Sequence, residues 1–208
     1  MREELIEWYN RNGRNFSWRE NNLTTFQVMI AEILLQKTRA EKLAGVYEEF
    51  LEKFPSVHDL KKASGKEVRK VIRPLGLQNK RSKDLKRIAD ILIEKFAGNI
   101  PKTVEELKEL PRVSDYVANA VQVFGREKKL PLLDVNTKRV IGRVYSVSSD
   151  EKIKEKIAEE IPEDNIKDFY YALLDLGGKI CSKESPKCSA CPLKNFCYYS
   201  TNQNEICS

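Results

Sequence analysis

Residues 110–125 read LPRVSDYVANAVQVFG. The helical spacing of apolar residues ends before the four-residue turn Pro111-Arg112-Val113-Ser114 and starts again after it, which predicts two helices joined in a hairpin. Turns this tight usually contain glycine, because glycine has no Cβ to crowd the backbone. Arg112 and Ser114 stand in this turn instead, so the sequence predicts a helical hairpin whose turn departs from the common chemistry.

The rest of the chain also has the sequence features of helices. Two stretches, Ser64 to Glu67 and Thr103 to Glu106, fit the capping box Ser/Thr-x-x-Glu, which satisfies free N–H groups at a helix start. Apolar residues recur at helical spacing within 24–36 and 84–96, and strand-like alternation is scarce. Proline marks predicted helix boundaries at Pro55, Pro74, Pro101, Pro111 and Pro131. The fold class is therefore predicted to be all-α.

Composition excludes several classes of protein. Of the 208 residues, 41% are hydrophobic and 33% are charged, which fits a globular protein with a core and neither a disordered nor a fibrous chain. No apolar run approaches the ~18 residues of a membrane span. The N-terminus, MREELIEWYNRNGR, is charged from its start, unlike a secretory signal. We therefore expect an intracellular, cytoplasmic protein with no membrane partner.

Positive charge is concentrated in one part of the chain. Residues 61–95 contain twelve Lys or Arg and four Asp or Glu, whereas the net charge of the whole chain is +6. A basic block in an otherwise nearly neutral chain favours a polyanionic partner. A solvated helix face would have the same composition, so both readings stay open at this point.

A cysteine-rich tail begins near residue 180. Its first four cysteines are spaced C-x6-C-x2-C-x5-C, at Cys181, Cys188, Cys191 and Cys197. Four thiolates so close in sequence can surround one soft metal centre without a long-range fold. Disulfides are disfavoured in a reducing compartment, and the chemistry leaves an iron–sulfur cluster and structural zinc equally open. Cys207 lies outside this spacing and is expected to be a free thiol.

Taken together, these features resemble the endonuclease III superfamily of DNA glycosylases. In that family a helix-hairpin-helix, a catalytic aspartate and a C-terminal [4Fe-4S] loop follow one another. Here the hairpin is followed by LLDVNTKRV at 132–140 and by the cysteine loop 181–197. The segment AEILLQKT at 31–38 also resembles the S-E-V-M-L-Q-Q-T of MutY-type enzymes. The resemblance spans nearly the whole chain and implies a [4Fe-4S] cluster as the cofactor.

The resemblance also implies an architecture. We expect two helical lobes: a barrel domain at 20–126 that ends in the hairpin, and an iron–sulfur domain made of 1–19 with 127–208. The active site is expected in the cleft between the lobes. The cluster is expected to shape a loop that contacts DNA through Lys183, Lys187 and Lys194.

Three residues match catalytic positions of the family. Asp134 matches the aspartate that stabilises positive charge on the sugar as the base leaves, although an Asp there also fits a helix cap. Glu32 matches the general acid of the adenine enzymes, and burial would suit it to that task. Tyr116 occupies the place of the lysine that forms a Schiff base in endonuclease III. Because a phenol cannot form one, we expect no strand cleavage by that route.

Other residues match positions that contact DNA. In the family, a side chain of the Gln-Gln-type segment fills the space left by the flipped base; Gln36 and Lys37 match it, and Lys138 belongs to the pattern after Asp134. The family hairpin binds a backbone phosphate through the N–H groups of a G-V-G turn. Here that turn is Arg112-Val113-Ser114. Arg112 is expected to add a charged contact, and Ser114 to cap the next helix.

The substrate is predicted from two comparisons with the subtypes of the family. The segment LGLQNKR at 75–81 lacks the Gly-Tyr-Tyr of MutY-type enzymes, and no sequence for a domain that reads 8-oxoguanine follows the cysteines. We expect a monomeric, monofunctional glycosylase that acts on double-stranded DNA and removes thymine or uracil opposite guanine. An adenine glycosylase, favoured by the pattern around Asp134, and a helix-hairpin-helix DNA-binding protein with little activity are the alternatives.

Overall fold

The fold is that of a computed structural model, which describes residues 1–202; Cys207 lies outside the described residues. Those residues form α-helices and short 3₁₀ helices without a strand, so the all-α prediction is confirmed. In chain order the α-helices are α1 (Arg2–Asn12), α2 (Thr25–Leu35), α3 (Ala40–Lys53), α4 (Val57–Lys62), α5 (Gly65–Ile72), α6 (Gln78–Phe96), α7 (Val104–Lys108), α8 (Asp115–Arg126), α9 (Val135–Tyr145), α10 (Asp150–Glu160), α11 (Ile166–Lys179) and α12 (Tyr198–Thr201).

The chain divides into two compact units. One is Asn15–Arg126, and the other combines Met1–Arg14 with the described residues from Glu127 onward. The first boundary lies five residues before the expected domain start at 20. Arg14 accounts for the position of this boundary, because its backbone N–H and its Nε each donate a 2.7 Å hydrogen bond to the fully buried carboxylate of Asp175 in α11.

Helix α2 is the central element of the unit Asn15–Arg126. It starts at a capping box in which the Thr24 hydroxyl accepts from the backbone of Gln27 and the Gln27 side chain accepts from the backbone of Thr24. Nearly all of its residues are buried, and it packs against α8. A helix that is apolar on every side is stable only when other helices surround it. Most of the remaining core side chains of this unit come from α3 to α8, and others, such as Trp18 and Phe54, come from the segments between the α-helices.

The predicted helix starts are confirmed at two further positions. Ser64 and Glu67 form a reciprocal capping box at the start of α5, and Thr103 and Glu106 form another at the start of α7. Helix α7 ends at Lys108, two residues before the end predicted from the apolar pattern. The backbone N–H of Leu110 donates to Leu107 over 3.1 Å, so the chain leaves the helix through a tighter turn.

The second unit is built around α9 and α11. Helix α11 packs against both α1 and α9, and α10 packs against α9. Its core comes mainly from the buried face of α11, where Phe169, Tyr170 and Leu173 are fully buried. Within residues 1–202, no helix combines the length and apolarity that crossing a membrane requires.

Candidate functional site

The hairpin turn between α7 and α8 forms without glycine. Arg112 adopts a left-handed conformation with φ +67°, a region that non-glycine residues rarely occupy. Val113 is buried, and its N–H donates to Leu110 over 3.2 Å. The Ser114 hydroxyl accepts a 3.4 Å hydrogen bond from the N–H of Val117 in the first turn of α8. The glycine-free turn therefore keeps a tight backbone at the expense of one strained residue.

The side chain of Arg112 is turned inward. Only 15% of it is exposed, and its guanidinium lies 3.4 Å from the carboxylate of Asp84 on α6. Its Nε is buried and has no hydrogen-bond partner among the described residues. Its carbonyl oxygen accepts a 2.7 Å hydrogen bond from the side-chain amide of Gln36. Two residues predicted to contact DNA, Gln36 and Arg112, thus lie in contact with each other.

Arg81 organises the turn that follows α2, and the sequence analysis missed it. Its guanidinium donates to the carbonyl oxygens of Leu34 and Gln36 at 2.9 and 2.8 Å, and to the Thr38 hydroxyl at 2.7 Å. The side chain is only 2% exposed, and burial lowers the pKa of Arg81, with a smaller contribution from the nearby charge of Arg112. Its spacing from Leu85 and Ile88 places it on the apolar face of α6, which is a signal the sequence does contain.

Two exposed turns lie at the ends of this network. Lys37, the predicted wedge residue, is exposed with φ +56°. Leu77, at the start of α6, is 59% exposed with φ +51°. A leucine held at positive φ is uncommon, and such a strained conformation is often found where a protein binds its ligand. Leu77 is therefore a candidate contact residue that the sequence analysis did not identify.

Glu32 and Tyr116, the two other catalytic candidates of this unit, differ in burial. Glu32 is 8% exposed within the apolar helix α2. Its charge helps to raise the pKa of Tyr47, after the larger effects of burial and of Glu20. Tyr116 is half-buried in the first turn of α8 and packs against the hydrophobic core.

The basic block at 61–95 has both structural and exposed cations. The Lys86 ammonium donates to the carbonyl oxygens of Leu60, Lys61 and Ala63 at the end of α4, and Lys61 pairs with Asp90. The exposed cations on α5, α6 and the segment between them are Lys66, Lys70, Arg73, Lys80, Lys83, Arg87 and Lys95, of which Lys95 pairs with Glu109. Some cations of the block therefore bind carbonyl or carboxylate oxygens within the protein, and the others form a basic surface.

Asp134 is the N-cap of α9. Its Oδ1 accepts from the backbone N–H groups of Asn136 and Thr137 at 3.0 and 2.7 Å, and its Oδ2 accepts from the Asn136 side-chain amide at 3.0 Å. The Asp134 backbone N–H donates in return to the Thr137 hydroxyl. The predicted capping role of Asp134 is confirmed, and the carboxylate is held in one orientation at the positive end of a helix.

A chain of hydrogen bonds connects Asp134 to the cysteine loop. The Asn136 oxygen accepts from a terminal nitrogen of Arg139 at 2.7 Å, and the Nε of Arg139 donates to the carbonyl of Cys181 at 2.6 Å. Gly177 makes room for this arrangement, since a Cβ at that position would stand 2.6 Å from the Cβ of Asn136. The neighbouring Lys138 forms an ion pair of 2.6 Å with Asp150, the first residue of α10.

The four spaced cysteines line one cavity. Cys181, Cys188, Cys191 and Cys197 line a small cavity of about 20 Å³ together with Arg143 and Tyr199. Burial raises the pKa of Cys191 to about 11, with smaller contributions from the other three sulfurs, and burial also raises the pKa of Cys197.

Arg143 fixes one side of this cavity. It donates to the carbonyls of Ser182 and Lys183 at 2.7 and 2.8 Å, lies 3.3 Å from the sulfur of Cys181, and stacks on the Tyr199 ring. Within residues 1–202, however, no three His, Cys, Asp or Glu side chains are grouped as ligands of a single metal ion. Four thiol sulfurs lining one cavity are nevertheless, in kind and number, the donor set of a soft metal centre.

Comparison with protein families identifies the chain. Residues 30–163 match the model of the HhH-GPD superfamily of base excision DNA repair proteins. The chain belongs to this superfamily. The matched HhH-GPD region contains the hairpin and Asp134, and it ends before the cysteine loop. The family predicted from the sequence motifs is confirmed.

Individual HhH-GPD relatives match almost the full chain. A thymine-DNA glycosylase of Aeropyrum pernix is 39% identical over 212 residues, which cover 97% of this chain and 95% of the relative. A thymine/uracil-DNA glycosylase of Pyrobaculum aerophilum is 36% identical, covering 94% of this chain and 89% of the relative. A solved structure of a thermostable thymine-DNA glycosylase superposes with a TM-score of 0.89 at 28% identity, covering 97% of this chain and 95% of that chain.

Proposed function

We propose that this protein is a DNA glycosylase that hydrolyses the N-glycosidic bond of a thymine or uracil mispaired with guanine. The observation that carries the proposal is the oriented carboxylate of Asp134 at the N-terminus of α9, in a chain similar over nearly its whole length to proteins named thymine- or thymine/uracil-DNA glycosylases. The substrate is double-stranded DNA with a mispaired base. The protein acts inside the cell, on the DNA of the nucleoid.

Asp134 is the proposed catalytic carboxylate. An ionised carboxylate has about four lone-pair sites, and three of them accept hydrogen bonds from α9. Asp134 is only partly buried, and its remaining site is proposed to accept from a water molecule or to face the sugar. A carboxylate fixed in this way stabilises the positive charge that develops at C1′ without having to reorganise, and it orients the water that completes hydrolysis.

Glu32 and Tyr116 are proposed to assist this reaction. Glu32 is a nearly buried carboxyl group, and it is the proposed proton donor to the departing base. Tyr116 is proposed to position the flipped base or its sugar. Since its phenol forms no Schiff base, an abasic site is the expected product, and the strand should break only after alkali treatment. Strand cleavage without alkali would contradict this role.

DNA contacts are proposed along the turns of the Asn15–Arg126 unit. The Val113 N–H is already bonded to Leu110, so the proposed phosphate contacts of the hairpin are the N–H of Ser114 and those at the start of α8. The exposed Lys37 and Leu77 are suited to the space left by a flipped base. In the second unit, Lys138 is proposed to exchange its ion pair with Asp150 for a phosphate. The lysines of the cysteine loop, Lys183, Lys187 and Lys194, are proposed phosphate contacts as well.

A [4Fe-4S] cluster is the proposed cofactor. Cys181, Cys188, Cys191 and Cys197 would hold it, and the bound cluster would cross-link the loop 181–197 without entering the hydrolysis. The lining of one cavity by four sulfurs supports a soft metal centre, and the resemblance of the spacing C-x6-C-x2-C-x5-C to the cluster loop of the endonuclease III superfamily favours [4Fe-4S] over zinc. Arg139 and Arg143 of α9 donate hydrogen bonds to the carbonyls of Cys181 and Ser182. We propose that an ordered loop in this way keeps α9, and with it Asp134, in a fixed position.

Four labelled duplexes test the proposed function. They carry T·G, U·G, A·8-oxoguanine and A·G, and each is incubated with the protein and then treated with alkali. Cleavage at thymine and uracil is the expected result. Cleavage at adenine alone would establish the adenine glycosylase alternative, and no cleavage on any duplex would favour a DNA-binding protein with little activity.

A further inference from the structure

The hairpin turn replaces glycine with an arginine whose side chain does not extend into solvent. A surface arginine that binds phosphate keeps its guanidinium accessible, whereas 15% of the Arg112 side chain is exposed. The backbone of Arg112 is held in the left-handed region. Such a conformation persists only where the surroundings over-determine it, so the contacts that hold Arg112 need to be identified.

Three contacts of the described residues hold this turn from two sides. On one side, the Arg112 guanidinium meets the carboxylate of Asp84 on α6. On the other side, the Arg112 carbonyl accepts from the side chain of Gln36, whose own carbonyl accepts from Arg81 of α6. The hairpin turn, the end of α2 and the first turns of α6 are thus joined in one polar network.

We propose that Arg112 is a positioning residue that clasps the hairpin turn to α6 and to the α2–α3 turn, so that both turns meet DNA as a single rigid surface. This inference rests on the proposed function, because DNA is taken as the partner. In a turn with glycine, the small residue alone would permit the tight backbone. Here the Asp84–Arg112 ion pair and the hydrogen bond from Gln36 hold the backbone of the turn in place. In this proposal the Arg112 guanidinium does not contact a phosphate.

The charges around Arg112 agree with this role. Arg81 and Arg112 are near enough for the charge of Arg112 to contribute to lowering the pKa of Arg81, and Asp84 is 21% exposed. Removing Asp84 would leave two neighbouring guanidinium groups without that carboxylate. Asp84 is therefore expected to matter for DNA binding even though its own charge repels phosphate, which is the opposite of what a simple electrostatic contact predicts.

The test measures binding of an undamaged fluorescent duplex over a series of salt concentrations. Arg112→Gln, Asp84→Asn and the double variant are compared with wild type at a temperature where circular dichroism shows every variant folded. Asp90→Asn is the matched control, because it removes the same charge from the same helix. Arg112→Lys tests whether a cation without the planar guanidinium fork suffices.

If Arg112 acts as this clasp, Arg112→Gln and Asp84→Asn should each weaken DNA binding about threefold to tenfold. The double variant should bind DNA about as well as the single variant with the lower affinity, because both substitutions remove the same interaction. The slope of log K against log salt should stay that of wild type. The proposal would be overturned if the salt slope of Arg112→Gln were lower by about 1 while Asp84→Asn, like Asp90→Asn, bound DNA as tightly as wild type or more tightly. Those two results together would show that Arg112 contacts a phosphate. Unchanged binding in both single variants would overturn it as well. Because the duplex is undamaged, these outcomes are independent of whether wild type excises a base.

Discussion

Gly177 of α11 lies so close to Asn136 of α9 that a Cβ at position 177 would stand 2.6 Å from the Cβ of Asn136. Asn136 in turn holds the Oδ2 of Asp134 through its side-chain amide. Gly177→Ala must therefore displace α9 at the residue that orients the proposed catalytic carboxylate. We expect a loss of about 1–3 kcal/mol in unfolding free energy, as for other overpacked sites, together with slower base excision.

Gly178 provides the matched control for this prediction. It is the next residue of the same helix, and a Cβ there would meet nothing within 4 Å. Gly178→Ala should stabilise the protein by about 0.5–1 kcal/mol, because alanine is the better helix former, and its excision rate should equal that of wild type. Urea unfolding and single-turnover excision measure both effects. Equal rates for the two alanine variants would contradict the proposed link from Gly177 to Asp134.

The Asp134→Asn variant separates the cap of α9 from the chemistry. Asparagine caps helices as well as aspartate does, but its side-chain NH₂ cannot accept from the Asn136 amide as Oδ2 does, so the unfolding free energy should fall by about 1 kcal/mol. The carboxylate that stabilises charge at C1′ is lost, so the excision rate should fall by at least about 10³-fold. Single-turnover kinetics and duplex binding would be measured on the same preparation. An Asp134→Asn variant as active as wild type would contradict the mechanism.

Arg81→Met should destabilise the unit Asn15–Arg126. The substitution keeps most of the buried volume but leaves the carbonyls of Leu34 and Gln36 and the Thr38 hydroxyl without their donor. We expect a loss of about 3 kcal/mol or more in unfolding free energy. Lys80→Met, at the exposed neighbouring position, should stay within about 0.5 kcal/mol of wild type. Equal stability of the two variants would show that the network is dispensable.

Metal content tests the proposed cofactor. The purified protein should contain about four iron atoms per chain and absorb near ~400 nm. Arg143→Ala removes donors to Ser182, Lys183 and Cys181, so its absorbance should bleach faster than that of wild type when the protein is exposed to a chelator. A colourless protein containing one zinc would contradict the assignment.

Local signals in the sequence predicted much of the fold. The capping boxes at Ser64 and Thr103 and the apolar spacing of α2 and α6 lie within single helices, and each was confirmed. The position of Asp134 as an N-cap is local for the same reason. The four cysteines that line one cavity also lie within seventeen residues of one another, although Arg143 of α9 fixes one side of that cavity. Structural features that depend only on residues close in sequence can be predicted without knowing the three-dimensional structure.

Side-chain direction at the candidate site was not predictable in this way. Arg112 was expected to face phosphate, but it turns toward Asp84, which lies 28 residues earlier in the chain. Arg81 had the spacing of a buried residue, yet its acceptors on the α2–α3 turn become adjacent only in three dimensions. The need for glycine at 177 arises from the approach of α9. Each of these features depends on a contact between helices that are distant in sequence.

Single-turnover excision on a T·G duplex, with a T·A duplex of the same sequence as its control, tests the proposed activity most directly. The protein should release thymine from the T·G duplex and leave an alkali-sensitive site, with no measurable release from the T·A duplex. Uracil opposite guanine should be released as well. If thymine and uracil both remain in place opposite guanine while the folded protein still binds the duplex, the proposed activity is wrong.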